Sequence, residues 1–242
     1  MRTLLKAALA IPVTGAMLAS LFLATPAQAW RIRVSQESAA GIGDFDTNVL
    51  GFIETFQTTD TLAGFYNYSG GSFNGPVDIN SNATQNFFVH ASDGLGFYTV
   101  HDDIQDGSNG SARMEFNLLG DPDGAAFLLG DEPAENLSAM GGTNFITRHF
   151  WGTCCTDGTV IGSLDGTDWE MFAEFRTLPT GIDDWLALSA DGSGPVVMTI
   201  DPNRRVRFDK VATPEPATIL GFLAVGALAG ASGLKRKVGK KG

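Results

Sequence analysis

Residues 30–210 predict an all-β fold: an antiparallel two-sheet sandwich of jelly-roll type. Three observations carry this expectation. Short apolar or alternating runs recur along the chain, the pattern of half-buried strands. Turn signals separate them: Asp-Gly steps at Asp93, Asp106, Asp123, Asp157, Asp165 and Asp191, with Gly70-Gly71 and Asn74-Gly75. These steps tolerate positive φ and favour tight turns. No stretch of about ten residues holds a helical apolar stripe. Many short strands at this spacing fit a sandwich.

The first 29 residues stand apart. Arg2 and Lys6 precede an apolar stretch, and Ala27 and Ala29 supply the small residues of a cleavage site. This is the layout of an export signal removed by signal peptidase. The predicted strands then run in order. Trp30–Ser35 places Trp30, Ile32 and Val34 opposite Arg31 and Arg33. Val49–Phe56 follows, then Gly64–Tyr68, where alternation gives Tyr66 and Tyr68 one face. Next come Asn86–His90, Gly96–His101, Arg113–Leu118, Ala125–Leu129, Phe145–Trp151 and Val160–Leu164. In Trp169–Arg176, Trp169, Met171, Ala173 and Phe175 oppose Glu170, Phe172 and Glu174. Trp185–Ser189, Val196–Ile200 and Arg205–Phe208 complete the set, the last with Val206 and Phe208 opposed to Arg205 and Arg207. Terminal strands lying side by side would gather Arg31, Arg33, Arg205 and Arg207 on one surface, where surplus carboxylates can pair with them.

Charge is distributed unevenly. The region between the two chain ends holds 26 of the 27 acidic residues against nine basic ones, a surplus of 17 carboxylates. Such a domain repels nucleic acid and anionic membrane surfaces and attracts divalent cations. Its length suffices for one domain with a substantial core.

Residues 211–242 form the second landmark. Pro214-Glu215-Pro216 precedes Ala217–Leu234, which lacks charge, and Lys235-Arg236-Lys237 follows with Lys240 and Lys241. As a helix the apolar run would rise about 27 Å, enough to cross a hydrocarbon core of roughly 30 Å. The basic cluster behind it would stay cytoplasmic and leave the bulk of the chain outside. In that order the three parts resemble the PEP-CTERM sorting signal of Gram-negative bacteria, and the wording is most similar to the cyanobacterial form. The resemblance covers roughly the last thirty residues. It implies recognition of Pro214, Glu215 and Pro216 by an exosortase, a membrane transpeptidase that removes the anchor. A proline step resists helix, so it would stand extended above the membrane.

Candidate chemistry in the middle is sparse. Cys154-Cys155 is the only cysteine pair. Adjacent Cα atoms lie about 3.8 Å apart, below the usual disulfide range of roughly 4.4–6.8 Å. Free thiols, a vicinal disulfide ring that touches a ligand, and bridges to another chain all stay open. Calcium is the candidate cofactor. "DPDGAAFLLGDE" sets Asp121, Asp123 and Glu132 at EF-hand spacing, but Ala125 and Ala126 take ligand and turn-glycine positions, which rejects the motif. Asp102, Asp103 and Asp106 form an oxygen-rich loop without fixed spacing. No nucleophile elbow, HExxH or phosphate-cradling loop occurs, and His90, His101 and His149 read as structural. Tyr66, Tyr68, Trp151 and Trp185 are candidate platforms for sugar rings, weighed against core packing.

The expectation is therefore an exported protein of the cell surface or extracellular matrix, transiently held in the membrane by its C-terminal helix. The sorting family's association with exopolysaccharide makes non-catalytic carbohydrate binding or adhesion the favoured role. An extracellular hydrolase of a polysaccharide or other polymer is the first alternative, and a purely structural coat component is the second.

Overall fold

A computed structural model describes residues 31–39, 43–102, 107–120, 124–131, 138–140, 142–190 and 195–211. The export signal with Ala27 and Ala29, the sorting motif Pro214–Pro216 and the basic stop Lys235–Lys237 lie outside these residues. Among them no helix is long and apolar enough to cross a membrane.

Fourteen strands and one short helix make up the described residues. Sheet A joins β2 (Val49–Glu54), β1 (Arg31–Gln36), β14 (Val206–Val211), β11 (Trp169–Thr180), β6 (Gly110–Gly120), β9 (Asn144–Trp151) and β8 (Ser138–Met140), in that order. Sheet B joins β13 (Pro195–Ile200), β12 (Asp184–Ala190), β4 (Ala83–Ala91), β5 (Gly94–His101), β10 (Asp157–Gly162) and β7 (Ala126–Gly130), with β3 (Phe56–Gln57) also against β4. Two packed sheets agree with the expected sandwich, but sheet B is mixed rather than antiparallel. Both β12 and β3 run parallel to β4 along its same edge. The chain reaches that edge by crossing from sheet A, after β2 and after β11, so no tight hairpin sets the strand direction there.

The core between the sheets follows from alternation. Ile32 and Val34 of β1, Phe116 of β6, Met171 of β11 and Phe208 of β14 meet Phe88, Phe97 and Trp185 of sheet B. Phe97 sits at its centre, 5.1–5.6 Å from the rings of Phe88, Phe116 and Phe208. Trp169 closes one end by donating from Nε1 to the Leu164 carbonyl at 2.8 Å.

Sheet B is covered on its other face as well. Phe87, Val89, Tyr98, Val100, Val160, Leu186 and Leu188 point outward and meet a second apolar cluster from residues 62–77. Here local structure departs from expectation: the expected strand Gly64–Tyr68 is a helix, α1 (Leu62–Tyr66). Thr61 caps it by accepting the Gly64 N–H at 3.0 Å, and Asn67 ends it in the left-handed region at φ 52°. Asp93 Oδ1 accepts the Leu62 N–H at 2.8 Å, and the Tyr98 hydroxyl donates to the Leu62 carbonyl at 2.6 Å. Tertiary contacts thus stabilise a helix far too short to persist alone. Burial of its ring and the nearby Asp93 push the Tyr98 hydroxyl's pKa up. Leu62 lies over Gly96, where a Cβ would come within 2.6 Å of Leu62 Cδ2.

Candidate functional site

Two of the features singled out in the sequence, Tyr68 and Cys154-Cys155, meet at one place on the surface. Two loops dock there. The first, residues 67–75, is held by its own polar groups: Asn74 Nδ2 donates to the Ser69 and Ser72 carbonyls at 2.9 Å, and Gly70 and Gly71 take positive φ. The second, residues 152–156, joins β9 to β10. Thr156 Oγ1 accepts the Phe73 N–H at 2.7 Å, and Ser72 Oγ accepts the Thr156 N–H at 3.2 Å. Cys154 and Cys155 form a disulfide with each other, at a Cα separation of 3.7 Å. Cys154 faces solvent, and Cys155 Sγ lies 4.0 Å from the Gly70 carbonyl, a van der Waals contact because a disulfide sulfur carries no proton. Tyr68, on the first loop, is 44% exposed. An aromatic ring and a disulfide ring thus edge the same pair of loops. A groove of about 270 Å³ adjoins them, lined by Phe73, Asn74, Val77, Asp78 and Thr156.

Below the loops sits a buried polar cluster that joins the two sheets. His149 and Trp151 come from the inner face of β9, and Thr84, His101 and Asp157 come from β4, β5 and β10. His149 Nδ1 donates to Asp157 Oδ1 at 2.9 Å, and Asp157 Oδ2 accepts the Phe150 N–H at 2.6 Å. Thr84 Oγ1 and His101 Nδ1 share a hydrogen bond of 2.9 Å. The His101 ring stacks on Trp151 at 5.3 Å and approaches His149 at 4.6 Å. Burial, reinforced by His149, holds the His101 pKa well below the ordinary imidazole value, although Asp157 opposes the shift. His101 is therefore neutral at pH 7. The His149–Asp157 pair has the composition of a general-base dyad, yet neither residue reaches solvent. Its position bridges sheet to sheet.

The expected platforms divide accordingly. Tyr68 is accessible. Tyr66 is not: it ends α1, is fully buried, and donates its hydroxyl to Asp131 Oδ2 at 2.9 Å. The helix also removes the shared strand face expected for Tyr66 and Tyr68. Trp151 is buried in the polar cluster, and Trp185 in the inner core, where its Nε1 donates to Asn86 Oδ1 at 2.5 Å. These three rings fill interior space and present no face to a ligand. Asp157-Gly158, read as a turn step, instead opens β10; a Cβ at Gly158 would sit 2.6 Å from the Tyr66 hydroxyl, so close packing requires glycine there.

Of the calcium candidates, Asp102 takes φ 65° and uses both carboxylate oxygens, accepting from the Asn82 N–H and from Ser108 Oγ. Asp103 and Asp106 lie outside the described residues. Among the described residues no group of three or more His, Cys, Asp or Glu side chains is arranged to hold a metal.

The terminal arginines do gather. β1 pairs with β14, and the outer face of sheet A becomes a lattice of ion pairs. Arg33 Nε meets Asp209 Oδ2 at 2.7 Å, Arg205 meets Glu37 at 2.9 Å, and Arg207 meets Asp46 at 2.6 Å. The hydrogen bond from Arg207, followed by its positive field, lowers the Asp46 pKa. A second groove, of about 350 Å³, runs beside this lattice between Glu37, Arg176 and Arg204.

No protein-family model, no curated protein and no solved structure matches the chain.

Proposed function

We propose that the chain is an exported surface or matrix protein that binds carbohydrate without turning it over. In this reading it is delivered through the Pro214–Pro216 sorting step and an exosortase. We read the sandwich as jelly-roll type, because its first and last strands meet inside sheet A and later strands cross between the sheets. The observation that carries the binding role is the pairing of exposed Tyr68 with the solvent-facing Cys154–Cys155 ring on two mutually bonded loops. A sugar ring offers an apolar face to such a rim, and the hydrogen-bonded loops lose little freedom when it docks. The sealing of His149 and Asp157 argues against their use as a hydrolytic dyad.

The test is retention of the full-length protein on a panel of polysaccharides, with soluble sugar assayed in parallel. Binding without release is expected, and Tyr68→Ala should weaken it roughly fivefold, about 1 kcal/mol. Released product would make the protein a hydrolase. No retention on any glycan would leave a structural coat component. Removal of residues 214–216 should abolish surface display while leaving synthesis intact.

A further inference from the structure

The ion-pair lattice leaves three described arginines without an acidic partner: Arg31, which lies 4.4 Å from the Phe52 ring centroid, and Arg113 and Arg148, which alone stand directly opposite each other. Arg113 and Arg148 point outward, since Ala112, Met114, Thr147 and His149 beside them are buried. They are register partners on β6 and β9, and both are exposed. Directly opposed side chains have Cβ atoms about 4.5–5.5 Å apart, and like charges placed so repel. The chain has carboxylates to spare, and it uses them at Arg33, Arg176, Arg204, Arg205 and Arg207. Among the described residues neither Arg113 nor Arg148 has an acidic partner. Glu115, on the same face, is already engaged: Oε2 meets Arg176 Nε at 2.8 Å, and Oε1 accepts from Asn117 and Asn144.

An aromatic ring completes the strip. Phe150 is 53% exposed, and the Arg148 guanidinium lies 4.6 Å from its ring centroid. A guanidinium held over a ring face keeps N–H edges open to an anion. Asp157 fixes the Phe150 backbone from below, so the buried cluster anchors the exposed ring. Opposite Phe150 stands Ser111, whose hydroxyl lies 3.2 Å from that of Thr180. Paired cations, an apolar ring and neutral hydroxyls match the three surfaces of an acidic sugar. β9 then leads directly into the loop that bears Cys154 and Cys155.

We propose that Arg113, Arg148 and Phe150 bind an anionic polysaccharide, one that carries uronate carboxylates or sulfate groups. The two guanidiniums take the anionic groups and Phe150 takes a ring face. This rests on the carbohydrate-binding reading and narrows its ligand to an acidic chain. An acidic peptide would satisfy the arginines but leave the ring and the hydroxyl pair without counterparts.

The experiment measures binding of the full-length protein to polygalacturonate, dextran sulfate, neutral dextran and polyglutamate. Polygalacturonate and dextran sulfate should bind more tightly than dextran, and added salt should weaken both. Arg113→Gln and Arg148→Gln should each cut that affinity roughly tenfold. Both variants should melt no lower than the parent, since each relieves a like-charge contact. Arg31→Gln is the control: it removes the same charge, likewise held over a ring, three strands from β6 and four from β9, roughly 14–19 Å away, and should change affinity less than about twofold. An equal loss from Arg31→Gln would mean that net charge alone is at work and would overturn the proposal. Equal binding of dextran, or of polyglutamate, would overturn it too, the former while sparing the carbohydrate reading. If nothing in the full glycan panel binds, both readings fall together.

Discussion

The two sheets solve the burial problem differently. The centre of sheet B is buried on both faces: β4 is covered at every position but His90, and β10 throughout. Sheet A is buried on one, so β9 alternates buried and accessible residues along its length. The contrast shows where this acidic chain can place positive charge. All eight arginines of the described residues lie on sheet A or in the turn leading into β14. Sheet A has the broad wet face, and a guanidinium on either face of the central strands β4, β5 and β10 of sheet B would lose its water without a partner. One sheet thus stabilises the molecule and the other presents it.

Core substitutions should break the contrast most strongly. Phe97→Ala empties the space between the sheets and should cost about 3–5 kcal/mol, with both sheets losing hydrogen-exchange protection together. Leu62→Ala, in the outer layer of sheet B, should cost about 2–4 kcal/mol and open residues 58–82 first. If sheet A loosened equally, the layers would not be separable. On the wet face, Asp209→Ala removes the carboxylate held by Arg33 and set 3.1 Å from Arg207, and about 1–3 kcal/mol in chemical denaturation is expected.

The cluster that ties the sheets together supplies a pH test. His101 is neutral when folded and titrates near 6.5 when unfolded, so the unfolded chain takes up the proton first. Stability is complete above that pH and should fall as pH drops below it, by at most about 1.4 kcal/mol per unit. His101→Gln should flatten this dependence between about pH 6.5 and about 5. A parent profile already flat in that window would show that the cluster protonates without resisting. The smallest effect is expected at Cys154–Cys155. Reduction should shift the melting temperature by less than about 0.5 kcal/mol equivalent, because the bond closes no chain loop. A larger shift would give the ring a role in docking the two loops.

Legibility tracked how local each cause is. Trp169, Met171 and Ala173 face inward as the period-two pattern says, and AAFLL belongs to a strand, β7, as its apolar content suggested. The helix Leu62–Tyr66 was misread because five residues show no helical period; its cap at Thr61 was the only local sign. Asp157-Gly158 misled for the opposite reason: a strong turn signal was overridden by a buried imidazole on another strand. His149 and Trp151 share a face by simple alternation, so their meeting with one another was readable. Their meeting with His101 was not. The paired arginines were equally hidden, since Arg113 and Arg148 become neighbours only through the register of β6 and β9.

By itself the sequence determined a two-sheet β fold, the inward and outward sorting along most strands, and the excess of carboxylates over cations. Each depends on residue type and a spacing of two, and those act within a few residues. The tertiary structure alone decided that sheet B would be wrapped on both sides, that Tyr68 and the disulfide would share a rim, and that two arginines would stand opposed without an acid. Such outcomes depend on which distant segments compete for one surface, and a linear pattern does not encode that competition.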